Sequence, residues 1–107
     1  GIKNGIVHIF VAGSTGAIST IEYEPGLQKD LPDCLSNIAP RDRFYQHHNT
    51  WGDDNGRGHV LATVIGPSLT VPVRDGNIVV GTWQQIIFLE LDTRPRSRRI
   101  ICTVMGE

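Results

Sequence analysis

Gly66-Pro67-Ser68-Leu69-Thr70-Val71-Pro72-Val73-Arg74-Asp75-Gly76-Asn77-Ile78-Val79-Val80 is the stretch that decides the architecture. Leu69, Val71 and Val73 recur at every second position, the period of a strand with one buried face. Gly66-Pro67-Ser68 is a turn ahead of it. Asp75-Gly76 is a two-residue hairpin signal of the kind that needs positive φ, and Ile78 to Val80 pairs back. The heart of the chain is therefore an antiparallel β-hairpin.

Working outward, Gln85 to Leu91 reads as another strand, Asp92 to Arg98 as a loop, and Arg99 to Met105 as a final apolar strand. Upstream, His59 to Ile65 reads as a strand. Ile6 to Val11 is β-branched and aromatic, the composition of a buried strand. Gly13-Ser14-Thr15-Gly16 is a loop, and Ala17 to Tyr23 a second strand broken by Glu24-Pro25-Gly26. One helix signal follows: Asp30 can cap, Pro32 suits a first turn, Leu31, Leu35 and Ile38 have helical spacing, and Pro40 stops it. Arg41 to Gly58 is polar, Gly-rich and aperiodic, which marks a functional loop. The fold expected is α+β and β-rich: an antiparallel meander or sandwich packed with one short helix, in a single domain over 1–107.

Composition narrows the function. The 107 residues are 39% hydrophobic and 20% charged with a net charge of −1, the profile of an ordinary globule. Near-neutral charge gives no long-range attraction for nucleic acid or anionic lipid. The longest apolar stretches are strand-sized, so no membrane span is expected. Cys34 and Cys102 form no CxxC pair, and the expectation is buried thiols in a reducing cytoplasm.

Histidines carry the strongest site signal. His47 and His48 lie in the long loop, and His59 follows Gly52-Asp53-Asp54-Asn55-Gly56-Arg57-Gly58. Neutral imidazole is a favoured metal ligand, and Asp53 or Asp54 can add a carboxylate. Two histidines and one carboxylate would leave coordination positions open, as a catalytic ion requires. Asp53-Asp54-Asn55-Gly56 fails as a calcium loop, because Arg57 takes a ligand position and no Glu follows at the right distance. Backbone amides of Gly13 to Gly16 can cradle an anion, although the Gly-Lys-Ser/Thr of a P-loop is absent. Glu22 and Glu24 share a strand face and read as a solvated pair. Arg94, Arg96, Arg98 and Arg99 read as a solvated hairpin tip or a set of interface partners, not as a nucleic-acid site. His8, on the face of Ile6 and Phe10, reads as a core histidine, and Trp83 as core or interface. Gln84 and Gln85 suggest side-chain amides bonded to a neighbouring strand or loop.

Taken together, the segments resemble the YjbQ-like family, whose usual label is secondary thiamine-phosphate synthase. The resemblance runs nearly the whole chain: Glu22 to Leu27, Asp30-Leu31, Ala39-Pro40, Asp54-Asn55 with His59, and Arg96 to Arg99 with Val104 to Glu107. Gly66 to Val73 and Gly81-Thr82-Trp83-Gln84-Gln85-Ile86 are its most specific words. The resemblance implies a homotrimer with a histidine pocket near a subunit boundary, and a strand and helix ahead of the position of Gly1 in complete members. It also implies a divalent ion, zinc foremost, held by His47, His59 and Asp53. Around the ion it implies a pocket of His48, Asp54, Asn55, Gly13, Ser14, Thr15 and Ser68 for a phosphorylated small molecule, with the loop amides of Gly13 to Gly16 and Ser68 or an arginine holding the phosphate. Gly13-Ser14-Thr15 stands where many members carry His-Thr-Thr, so one histidine is missing. Two functions follow from the resemblance: thiamine-phosphate synthesis from a pyrimidine diphosphate and a thiazole phosphate, or metal or metabolite binding without turnover. A metal-dependent hydrolase is a third.

Overall fold

The computed structural model describes all 107 residues. In chain order the elements are β1 (Gly5–Ala12), β2 (Gly16–Ile21), α1 (Pro25–Ile38), α2 (His47–Trp51), α3 (Gly56–Ile65), β3 (Ser68–Arg74), β4 (Asn77–Ile78), β5 (Gln85–Glu90) and β6 (Arg99–Gly106). The mixed, sheet-rich class is the expected one. Three helices replace the single one, and the strand order is not a simple meander. One sheet runs β4-β3-β1-β6 and a second pairs β2 with β5, all neighbours antiparallel. Only β3 and β4 are joined as a hairpin. Its turn has Asp75 at φ 50° and Gly76 at φ 78°, the left-handed values the dipeptide predicts.

The Gly66-Pro67 turn stitches the two sheets together. Val11 N–H donates to the Pro67 carbonyl, and Ile18 N–H donates to that of Gly66. Gly66 has φ 104°, a conformation that favours a residue without Cβ.

Two elements differ from the sequence reading for physical reasons. Helix α1 begins at Pro25, not after Asp30. Glu24 is its N-cap, accepting from the amides of Gly26 and Leu27. Pro25 occupies the first turn, where a missing N–H costs nothing, so an apparent breaker is a helix start. Pro32 lies inside the helix. Glu24 is thus a cap, not half of a carboxylate pair with Glu22. His59 to Ile65 is helical despite its β-branched residues. Leu61 packs with Leu35 and Ala39 of α1, and Ile65, one turn on, joins the same cluster with Leu31, Leu89 and Leu91. Packing along that one face outweighs a propensity difference of under ~1 kcal/mol per residue. Glycines permit the approach: a Cβ on Gly58 would sit 2.3 Å from the Leu91 carbonyl oxygen, and one on Gly56 2.4 Å from Tyr45 Cβ.

Burial is uneven. Only 14 of 107 residues are buried, and none of them is in β6. The extents are 49 × 30 × 20 Å and the radius of gyration is 16.1 Å, against ~13 Å for a compact domain of this length. Ile6 and Phe10, opposed to Met105 and Ile101 of β6, form an exposed apolar face. His8 shares that face and bonds through Nδ1 to Thr70 Oγ1 at 2.9 Å, so it is a half-buried, hydrogen-bonded histidine outside the core. Both cysteines are free and exposed, where burial was expected. No helix is long and apolar enough to cross a membrane.

A candidate binding cleft between two histidines and two arginines

Three loops and two helix starts meet at one cleft of about 470 Å³. Gly13, Ser14 and Thr15 come from the β1–β2 turn, and His47 and Trp51 from α2. Asp53 and Asn55 precede α3, and His59 sits in its first turn. Asp92, Arg96 and Arg98 come from the segment between β5 and β6.

Helix α2 sorts the two adjacent histidines. His47 faces this cleft, while His48 lines a neighbouring cavity with Asp54, Arg41, Arg43 and Arg57. His48 Nδ1 bonds the Asp53 carbonyl at 2.8 Å and lies 3.9 Å from Asp54. Asp54 is 91% exposed. Ser68 opens β3 opposite Phe10 and lines neither cavity. Of the expected pocket residues, His48, Asp54 and Ser68 are therefore not brought to the cleft. His47, His59, Asp53, Asn55, Gly13, Ser14 and Thr15 are.

The histidine pair is close. The rings of His47 and His59 lie 4.4 Å apart between centroids and 38° from parallel. The two rings are tilted against each other, and no three His, Cys, Asp or Glu side chains are arranged around one ion. His47 Nδ1 is buried and lacks a hydrogen-bond partner. Its neighbour is Asp53 Oδ1 at 2.9 Å, near enough for charge attraction but not aligned for a hydrogen bond. Asp53 Oδ1 also accepts from the Asn55 amide at 3.1 Å, which fixes it in place.

A polar network forms the opposing wall. The Asp92 side chain is 2% exposed. Burial opposes its charge, but the Arg94 amide, the Thr15 hydroxyl, Asn55 and Arg96 hold its carboxyl well below the usual carboxylate range. Thr15 Oγ1 donates to Asp92 at 3.0 Å and accepts from Arg98 Nη2 at 2.9 Å. Glu90 grips Arg98 through both oxygens. The Arg98 hydrogen bonds lower the Glu90 carboxyl against the opposing effect of burial, and the same contacts raise the guanidinium. Asn55 ties α3 to this wall, its Oδ1 accepting from both N–H and hydroxyl of Thr93.

Trp51, Asp92, Arg96 and Arg98 are cleft residues that sequence reasoning did not place. The last three come from the irregular segment between β5 and β6, where no periodic pattern marks which side chains share a side.

The family described as UPF0047 protein YjbQ-like matches residues 1–107, and the chain belongs to it. A UPF0047 protein of Methanothermobacter thermautotrophicus is 43% identical over 107 residues, covering 100% of this chain and 73% of the relative. The crystal structure of a YbjQ-like protein of unknown function from Sulfolobus solfataricus superimposes with a TM-score of 0.90 at 45% identity, covering 99% of this chain and 75% of that one. A YjbQ/UPF0047 protein of Clostridium acetobutylicum keeps the fold at 27% identity, with a TM-score of 0.86 over 97% of this chain and 78% of its own.

Proposed function

We propose that the cleft binds a phosphorylated small molecule together with a divalent ion, zinc foremost, in a homotrimer of this chain. One observation carries the reading: a buried imidazole nitrogen without a hydrogen bond, 2.9 Å from a carboxylate oxygen. Ligand bonds of ~2.0–2.2 Å let two donors at that separation share one ion. His47 and Asp53 would hold it, with the His59 ring beside that of His47, and water and ligand oxygens would complete the coordination. Such an ion supplies positive charge against phosphate oxygens. The exposed apolar face of β1 and β6 supports self-association, since large apolar patches mark interfaces. Free cysteines fit a reducing cytoplasm.

A second reading, transfer between phosphorylated heteroaromatic substrates as in thiamine-phosphate synthesis, is favoured by Trp51. It lines the cleft and is 73% exposed, leaving an aromatic face to stack on a ring. Binding without turnover is its rival, and product formation from the two thiamine precursors separates them.

Zinc titration by calorimetry tests the main reading. Stoichiometric binding that is lost in His47→Ala and Asp53→Asn is the expected result. Absence of binding in the unaltered protein would sink the metal reading, and sedimentation showing only monomer would sink the trimer.

A further inference from the structure

Arg98 is held at one end and free at the other. Its Nε donates to Glu90 Oε1 at 2.8 Å, and Nη2 bonds Glu90 Oε2, the Thr15 carbonyl and the Thr15 hydroxyl. Nη1 keeps two N–H donors with no protein partner. Its position is tied to the neighbouring turn: a Cβ built on Gly13 would lie 2.8 Å from Nη1, too close for both to stand. The absent side chain of Gly13 is the space this guanidinium end fills. Arg96 repeats the arrangement. Its Nε is held by buried Asp92 at 3.0 Å, and neither Nη group has a partner. Gly13, Arg96 and Arg98 all line the same cleft.

We infer that Arg96 and Arg98, with Gly13 as the residue that admits Arg98, form the phosphate-holding subsite of the cleft. The inference rests on the cleft being a ligand site, as proposed above, and adds which side chains take the anion. A guanidinium already oriented by a carboxylate loses little rotamer freedom on binding, and its remaining N–H groups match the oxygens of a phosphate. Asp92 and Glu90 balance the two arginines in charge. The attraction is therefore short-ranged and directional, and it selects a bound group by geometry.

The experiment is calorimetric titration of the metal-free full chain, in chelator, with inorganic phosphate, diphosphate and acetate. Zinc titration without phosphate reads the His47–Asp53 end by itself, so failure of the metal reading and failure of this one are distinguishable. Saturable phosphate binding is expected in the unaltered protein. Arg98→Gln should weaken it on the order of ten- to a hundredfold, the effect of losing hydrogen bonds to a charged group. Because Arg98 also braces Thr15 and Glu90, Gly13→Ala is the cleaner variant. Its φ is not in the left-handed region, and its methyl meets only Nη1, at 2.8 Å, so the planar guanidinium must tilt as a unit while the charge stays in the cleft; the melting temperature should change less than in Arg98→Gln while phosphate affinity falls about tenfold. Arg96→Gln should act in the same direction. No saturable phosphate binding in the unaltered chain would overturn the inference, as would unchanged affinity in folded Gly13→Ala and Arg96→Gln. Acetate binding as tightly as phosphate would overturn the phosphate assignment.

Discussion

Strands β2 and β6 make a useful contrast. Both are apolar, both contain β-branched residues, and both sit at the edge of a sheet. In β2, Gly16 to Ile18 are buried on both faces, Ala17 at 0% and Ile18 at 3% exposure, because α3 and the strands β1 and β3 all lie against it. In β6 every residue is exposed, with Val104 at 50% and Met105 at 62%. The lesson is that an apolar strand states a demand for cover without naming what supplies it. At the β2 end the chain covers itself, and the cleft is built there on a rigid wall. At the β6 end the apolar side chains stay exposed within the chain.

Substitutions should separate the two regions sharply. Leu61→Ala empties a site that is 0% exposed between α1 and α3, and should cost about 2–5 kcal/mol in denaturant unfolding. A loss under ~1 kcal/mol would mean that the α1–α3 contact is not the core. Gly58→Ala drives a methyl against the Leu91 carbonyl and should cost about 1–3 kcal/mol. An unchanged melting temperature there would show that α3 can shift freely, against the tight approach seen.

Acid should find the packed end as well. Glu90 and Asp92 both have folded-state carboxyls below their ordinary values of 4.5 and 3.8. As pH falls, the unfolded chain takes up protons first, so the stabilisation is full above about pH 4.5 and is lost progressively below it. Asp92→Asn should flatten that acid limb of a stability–pH curve. An equally steep limb in the variant would place the titration elsewhere.

Ile101→Ser is the smallest perturbation, on the open face opposite Phe10. It should change unfolding of the isolated chain by under ~0.5 kcal/mol. Sedimentation, in contrast, should show weakened self-association. A large loss of stability with no change in assembly would reverse the comparison between the two ends.

Much of this was legible in particular residues. Period-two alternation gave β3, Asp75-Gly76 gave its turn, and the Gln84-Gln85 amides do reach a neighbouring strand and its end, bonding Thr20 and Tyr23. The proximity of His47 to His59 was legible too, through the family words around them. His59 to Ile65 was misread because Val, Thr and Ile favour strands on their own, and only contact with Leu35 and Ala39 makes the helix preferable. Glycines 56 and 58 looked like loop punctuation, yet they let a helix touch a backbone. The arginine wall was missed because its carboxylate partners, Glu90 at the end of β5 and Asp92 just beyond it, gave no pairing signal, and Arg98 meets a turn some eighty residues upstream.

The sequence by itself determined the alternating strand β3, where the central hairpin turns, and which family the chain belongs to, because alternation, turn chemistry and long specific words are local properties. Tertiary structure decided that β1 lies between β3 and β6, that His47 and not His48 faces the cleft, and that the space left by Gly13 is filled by Arg98. Those outcomes depend on contacts between residues far apart in the chain, which no local pattern encodes.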